Sequence, residues 1–268
     1  MQFWQIILLS VLEGLTEFVP VSSTGHLILA SRFLGLGGPA VDAFLVVVQL
    51  GALLAAVFYY RRCLWQMAVG VLTKQAQALA LARNLILGSL PLLVCGYVFG
   101  SKIKALLFAP STVSFALFLG GVAMLLLDQT RRRAQATFQE PAKLPPGRAG
   151  LVGFVHLLAL WPGTSRSLAS MAGALLVGLP TAAAADFAFL LAIPTLGCAT
   201  VYELLKEGRV LWTEIGPAAV AAGLAVSFAV GWLVIAAFLR FLRGHGLFWF
   251  ALYRMALAVA VFWLWHDP

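Results

Sequence analysis

The chain has 268 residues, of which 62% are hydrophobic and 10% charged. This composition excludes a soluble domain with a solvated surface and indicates a polytopic membrane protein. The formal charge of +8 is attributed to membrane orientation and anionic lipid, and no nucleic-acid partner is expected, because no basic stripe alternates with aromatic residues.

The predicted elements begin with an apolar region, 1–38, that is broken by PVSSTGH at 20–26. A second broken region, 150–180, contains WPGTSRS at 161–167. Each break leaves half-helices shorter than the about 20 residues that cross the hydrocarbon, which predicts two re-entrant helical hairpins. Unbroken apolar segments predict six transmembrane helices, at 42–60, 84–101, 112–128, 184–203, 215–239 and 248–265.

This order predicts an all-α membrane protein with two repeats, 1–128 and 150–268, joined by a cytoplasmic linker, 129–149, without a fold of its own. Each repeat is one hairpin followed by three spans. Because three is odd, the second repeat starts on the opposite side of the membrane, which is an inverted-topology repeat. Most Lys and Arg residues fall in loops on one side, so the mouth of the first hairpin is predicted to be extracytoplasmic.

Two glutamates in the first hairpin are costly in hydrocarbon and therefore need partners. Glu13 and Glu17 are four residues apart and share one helix face. Without His or Cys at ligand spacing, the pair favours a hard divalent cation, Mg²⁺ or Ca²⁺, completed by water and a ligand phosphate. The alternative is that one glutamate only bonds a neighbouring helix.

The break in the first hairpin is suited to an anion. Pro20 ends one half-helix, and Ser22, Ser23 and Thr24 stand where the next begins, with its unpaired amides and positive dipole end. Ordinary N-capping explains one hydroxyl but not three. His26 is within reach of Ser23 on a helix and is a candidate base, acid or nucleophile, although a lone histidine is more often a core residue.

The second break repeats this pattern. Gly163 frees the backbone, Thr164, Ser165 and Ser167 supply donors, and Arg166 supplies a fork for phosphate oxygens. A structural ion pair between the arginine and a glutamate of the first hairpin is a compatible alternative. The two tips are expected to meet in one intramembrane cavity, where they favour phosphoryl transfer on a lipid-linked phosphate.

The motifs EGLTEFVPVSSTGHL and ALWPGTSRS resemble those of the undecaprenyl-diphosphate phosphatase family of the bacitracin-resistance (BacA or UppP) type. Similarity extends through VVVQLGALLAAVFYYRR, DFAFLLAIP and ALYRMALAVAVF. The resemblance implies a divalent-metal-dependent enzyme of the bacterial inner membrane that hydrolyses undecaprenyl diphosphate to the monophosphate. Such an enzyme recycles the lipid carrier of peptidoglycan synthesis and confers bacitracin resistance.

The resemblance also implies roles for individual residues. The acidic pair and Arg166 correspond to the family's acidic motif and diphosphate clamp, and Thr24 and Ser165 to supporting donors. Ser23 and His26 correspond to nucleophile and base, or the reverse, and a water nucleophile stays open as well. The active site is expected to open to the extracytoplasmic side, and a homo-oligomer is left open.

Three positions depart from the family pattern: His156 replaces a glutamine, Leu168 a glycine and Ser170 a threonine. These changes predict altered packing or substrate tuning rather than lost chemistry. The main alternative function is a lipid-phosphate transporter or flippase, which the inverted repeat would suit. An intramembrane serine protease is a further alternative, in which Arg166 and the acidic pair have no role.

Overall fold

The computed structural model describes residues 1–107, 110–133 and 136–265, and all regular structure in these ranges is helical. In chain order the α-helices are α1 (Phe3–Thr16), α2 (Ser23–Phe33), α3 (Pro39–Val47), α4 (Gln49–Tyr59), α5 (Arg61–Leu72), α6 (Ala76–Leu107), α7 (Pro110–Arg133), α8 (Pro146–His156), α9 (Arg166–Leu176), α10 (Thr181–Glu214), α11 (Pro217–His245) and α12 (Phe248–Trp265). Short 3₁₀ turns occur at Pro141–Lys143 and Leu157–Leu160. The prediction of an all-α chain is therefore confirmed for these residues.

Five segments of the described chain are long and apolar enough to cross a membrane. They are Pro39–Tyr59, Ala76–Gly100, Ser111–Gln129, Thr181–Glu214 and Pro217–His245. Each matches a predicted span, but the helices extend further, since α6 begins before residue 84 and α10 continues beyond residue 203. The sixth predicted span corresponds to α12, which is apolar but 18 residues long. Multi-pass membrane character follows, whereas the inverted repeat and its boundaries stay predictions.

Two segments outside the predicted spans have defined structure. The predicted loop after residue 60 contains α5, a helix with Trp65 and Leu72 exposed. The linker is docked on the helices, because Asn84 donates to the carbonyls of Pro141 and Leu144, at 2.9 Å each. Leu144 is itself buried. Residues 134 and 135 of the linker lie outside the described ranges.

Small residues allow α11 to pass close to both α1 and α4. A Cβ atom at Gly14 of α1 would lie 2.8 Å from the carbonyl oxygen of Ser227, and one at Gly51 would lie 2.7 Å from the Cβ of Ser227. Close backbone approach of this kind is typical of helices that pack within a membrane. The close packing of α11 against α1 buries one side of this helix, and with it the two glutamates, in the protein interior.

Two short non-helical segments, here called tips, bring together the polar residues of the two broken regions. The first tip, 17–22, joins α1 to α2, and the second tip, 161–165, precedes α9. Ser167, in the first turn of α9, donates to the carbonyl of Val19 at 3.3 Å, so the first tip touches the helix that follows the second tip. The expected approach of the two broken regions is therefore observed. The helix α1 ends at Thr16, earlier than Pro20, where the sequence predicted its end.

Candidate active site

Each tip ends on a serine that caps the following helix. Ser22 (φ 72°) accepts a hydrogen bond from the Gly25 amide, and Ser165 (φ 76°) accepts one from the Leu168 amide, both at 3.3 Å. A positive φ at a residue other than glycine costs about 1–3 kcal/mol and is typical of functional sites. The last residue of each tip thus has the same backbone conformation and capping bond, which parallels the pattern that the sequence repeats.

The first amides of α2 and α9 remain free for a ligand. Those of Ser23 and Thr24, and those of Arg166 and Ser167, have no acceptor in the described part of the chain. The first N–H groups of a helix have no partner within it and carry its positive dipole end. The arrangement therefore offers two donor sites for an anion, as the hydroxyl-rich motifs predict.

Glycine is required in the second tip. Gly163 has a φ of +95°, and a Cβ atom there would lie 2.6 Å from the carbonyl oxygen of Val113. The neighbouring Thr164 turns the chain by donating its amide to Trp161 at 3.1 Å. The expected role of Gly163 in freeing the backbone is confirmed.

Glu17 is the centre of the site. Its Oε1 accepts from Arg166 Nη2 at 3.0 Å, and its Oε2 accepts from the Ser23 hydroxyl. The Glu17 side chain is 4% exposed and that of Arg166 22%, so the glutamate is shielded while part of the arginine side chain stays accessible. An ion pair with a hydrogen-bonded hydroxyl satisfies the charges that hydrocarbon would penalise.

His26 has different partners from those expected. Its Nδ1 lies 2.8 Å from the Ser22 carbonyl and its Nε2 lies 2.6 Å from the Tyr253 hydroxyl. Because a carbonyl only accepts, Nδ1 carries the proton and Nε2 accepts from Tyr253. Both ring nitrogens are engaged, and Ser23 is paired with Glu17 instead. The expected contact of His26 with the Ser23 hydroxyl is therefore replaced in this structure by hydrogen bonds to Ser22 and Tyr253, and its role in the reaction stays a prediction.

Glu13 is the acid without a donor. It is 0% exposed, and neither carboxylate oxygen has a hydrogen-bond partner in the described chain. The hydroxyl of Ser10, one turn earlier, donates to the carbonyl of Ile6 and is therefore not a donor to Glu13. A buried carboxylate with free oxygens one helical turn from Glu17 fits a divalent cation. Since no group of three or more His, Cys, Asp or Glu side chains converges in the described ranges, the remaining ligands would be water and substrate oxygens.

Three residues of the site were missed by the sequence reading. Gln49, at the start of α4, accepts from Arg166 Nη2 at 2.6 Å. Tyr253 contacts His26, and the neighbouring Arg254 is 0% exposed and bonds both tips. The sequence did contain a signal for two of them: Gln49 and Arg254 are polar side chains inside predicted transmembrane spans, where such groups need buried partners.

Two of the three positions that depart from the family pattern, His156 and Ser170, lie at the same site. A small cavity is lined by residues that include Glu17, His156, Arg166, Ser167 and Ser170. His156 is 1% exposed, and its Nδ1 lies 3.3 Å from the Gly88 carbonyl. Ser170 donates to the Arg166 carbonyl at 2.8 Å. The substitutions are therefore accommodated by packing directly behind the arginine.

Comparison with known proteins gives a consistent assignment. A family model described as "Bacitracin resistance protein BacA" matches residues 6–260. An undecaprenyl-diphosphatase of Sorangium cellulosum is 48% identical, over 98% of this chain and 86% of that protein. Undecaprenyl-diphosphatases of Sphingopyxis alaskensis, with 42% identity over 97% of both chains, and Novosphingobium aromaticivorans, with 41% identity over 96% of both, are similar as well. The chain belongs to the BacA bacitracin-resistance family.

Proposed function

We propose that this protein is an integral membrane phosphatase that hydrolyses undecaprenyl diphosphate to undecaprenyl phosphate and phosphate. The observation that carries the proposal is the Arg166–Glu17–Ser23 constellation, in which a cation, an acceptor and a hydroxyl meet between two helix starts. The names of the relatives support the substrate. The product would be the lipid carrier of peptidoglycan synthesis, and its recycling would underlie bacitracin resistance.

In the proposed reaction Ser23 is the nucleophile and Glu17 the general base. The Ser23 oxygen attacks the terminal phosphorus while its proton passes to Oε2 of Glu17. The bond from that phosphorus to the bridging oxygen breaks, and undecaprenyl phosphate leaves. Glu17 gives that proton to the departing undecaprenyl phosphate and is again a carboxylate. Water then attacks the phosphoserine as Glu17 takes a proton from it, and the serine oxygen leaves with that proton, which releases phosphate and restores the serine.

The other residues bind and orient the diphosphate. Arg166 presents its guanidinium to the phosphate oxygens, and the free amides of α2 and α9 stabilise charge that develops on them. Thr24 and Thr164 flank those amides as further donors, whereas the hydroxyls of Ser165 and Ser167 bond each other and the Val19 carbonyl and so hold the second tip in place. His26 holds the Ser22 carbonyl and so fixes the start of α2.

We propose Mg²⁺ or Ca²⁺ as the cofactor, held by Glu13 and Glu17. When bound, the cation would neutralise phosphate charge and polarise the phosphorus centre. The unpartnered carboxylate of Glu13 supports this assignment.

We further propose an inverted repeat in the inner membrane, with the site opening to the extracytoplasmic side. The shared conformation of Ser22 and Ser165 supports a repeat, and the basic loops support the orientation. Short helices on either side of each tip, of 14 and 11 residues at the first, support re-entrant hairpins.

The experiment is phosphate release by the purified protein from undecaprenyl diphosphate with Mg²⁺. Wild type should turn over, and Glu17→Ala and Arg166→Ala should each lose at least about 100-fold in kcat/KM. Arg209→Ala removes an exposed arginine of α10 and should behave as wild type. Transport of the lipid without phosphate release would instead support the transporter alternative.

A further inference from the structure

Arg254 is a buried cation that binds only main-chain carbonyl oxygens. It is 0% exposed, and each of its five N–H donors has one acceptor. Nη1 bonds Pro20 and Thr164 at 3.0 and 2.9 Å, Nη2 bonds Gly163 and Ala116 at 2.8 and 3.3 Å, and Nε bonds Leu117 at 3.3 Å. One side chain of α12 therefore ties the first tip, the second tip and α7 together.

The charge of Arg254 has no counter-charge in the described part of the chain. Arg166 is neutralised by Glu17, whereas every recorded partner of Arg254 is a neutral carbonyl. A buried cation of this kind is costly unless it is paired or has a functional reason to remain. The two tips that Arg254 holds lead into the free amides at the starts of α2 and α9, which suit an anion.

The hydrogen bond from Arg254 to the Thr164 carbonyl also fixes the orientation of the Ser165 amide, which belongs to the same peptide group. In a planar trans peptide the C=O and N–H groups point in opposite directions. Since the Thr164 carbonyl points at Arg254, the Ser165 amide on the same peptide points away from it. Ser165 caps α9, directly before Arg166. Arg254 thus fixes the peptide that sets the direction of that helix start.

We propose that Arg254 is a positioning residue for the diphosphate: it fixes both tips in their anion-binding conformation, and its charge is balanced when the substrate head group binds between them. This inference rests on the proposed function for the identity of the anion. It assigns Arg254 no contact with the reacting atoms.

Two adjacent glycines of α7 provide a matched pair for the test. A Cβ atom at Gly120 would collide with the guanidinium of Arg254. One at Gly121 would meet Met255 Cγ at 2.6 Å and the Ala251 carbonyl oxygen at 3.0 Å, and none of its three nearest atoms belongs to Arg254. Gly120→Ala therefore displaces the arginine without removing its charge. Gly121→Ala perturbs the same α7–α12 packing and serves as the control.

The experiment measures KM for undecaprenyl diphosphate, kcat, calorimetric binding of inorganic pyrophosphate at fixed Mg²⁺, and the thermal unfolding midpoint. Arg254→Gln and Gly120→Ala should each weaken pyrophosphate binding and raise KM by about 10- to 100-fold, while Gly121→Ala keeps both at wild-type values. Arg254→Lys keeps the charge with three donors instead of five and should recover part of the binding.

Wild-type pyrophosphate binding in a folded Arg254→Gln protein would overturn the proposal. If that variant does not fold, the glycine pair decides, because equal losses in Gly120→Ala and Gly121→Ala would reduce the role of Arg254 to packing. Pyrophosphate binding requires no turnover. An inactive wild type would therefore count against the proposed function, while the binding comparison would still test Arg254.

Discussion

Arg166 and Glu17, which are 149 residues apart in the chain, form an ion pair at 3.0 Å. The same Nη2 atom also donates to Gln49 at 2.6 Å, so the arginine is held from two sides. The side chain is 22% exposed, and the hydrogen bonds found for its guanidinium in the described chain all involve Nη2, so Nη1 and Nε are left to bind a ligand. The clamp is thus preorganised before an anion arrives, which lowers the cost of binding.

Loss of the Gln49 anchor should weaken substrate binding without removing the chemistry. Gln49→Ala is expected to raise KM by about 10-fold, because Arg166 gains alternative rotamers, while kcat falls less. Steady-state kinetics measure this split. Gln66→Ala, at an exposed position of α5, is the control. A fall in kcat at unchanged KM would contradict the anchoring role.

Removal of the Ser23 hydroxyl should abolish the reaction. Ser23→Ala is expected to lower kcat by at least about 100-fold, since no oxygen then bridges Glu17 and phosphorus, and Ser23→Thr should retain some activity. Thr16→Val is the control, because the Thr16 hydroxyl bonds the carbonyl of Leu12 within its own helix. Single-turnover trapping should yield phosphoserine, and recovery of phosphohistidine would refute the assignment.

The sequence predicted the side chains of the site better than their partners. Glu17, Ser23 and Arg166 stand out because polar groups are expensive in an apolar chain, and the breaks at the tips indicate where helices begin. Gln49 and Arg254 come from distant helices, and spacing along the chain cannot specify which helices pack together. His26 was paired with Ser23 by local spacing, but the approach of α12 brings Tyr253 to its ring instead.

The hydroxyl of Tyr253 should matter through His26. The two rings are stacked at a centroid distance of 5.6 Å, and the Tyr253 oxygen lies 2.6 Å from Nε2. Tyr253→Phe preserves the stacking but removes the donor, so kcat/KM should fall by about 10-fold with little change in thermal stability. Tyr97→Phe, at an exposed position of α6, is the control. Unchanged kinetics would mean that His26 needs no orientation.

Restoring the family glutamine at position 156 should be tolerated. A glutamine amide can replace His156 Nδ1 as donor to the Gly88 carbonyl, so His156→Gln is expected to keep activity and the thermal midpoint close to wild type. His156→Leu removes that additional donor to the Gly88 carbonyl and should destabilise the fold by about 0.5–1.5 kcal/mol. Thermal unfolding in detergent measures both. Equal stability of the two variants would show that the hydrogen bond contributes nothing.

The free carboxylate of Glu13 should be measurable as a metal ligand. Chelation with EDTA is expected to abolish wild-type activity, and Mg²⁺ should raise the thermal midpoint, because a ligand that binds only the folded state stabilises it. Glu13→Gln removes the charge but keeps the shape, so the Mg²⁺ concentration for half-maximal activity should rise by about 10- to 100-fold and the thermal shift should shrink. Glu203→Gln alters another buried glutamate, on α10, and should leave both responses unchanged.

Since burial of an unpaired carboxylate is unfavourable, metal-free Glu13→Gln should be at least as stable as metal-free wild type. An unaltered Mg²⁺ shift in Glu13→Gln would exclude Glu13 as a ligand and leave Glu17 as the single carboxylate available to the cation.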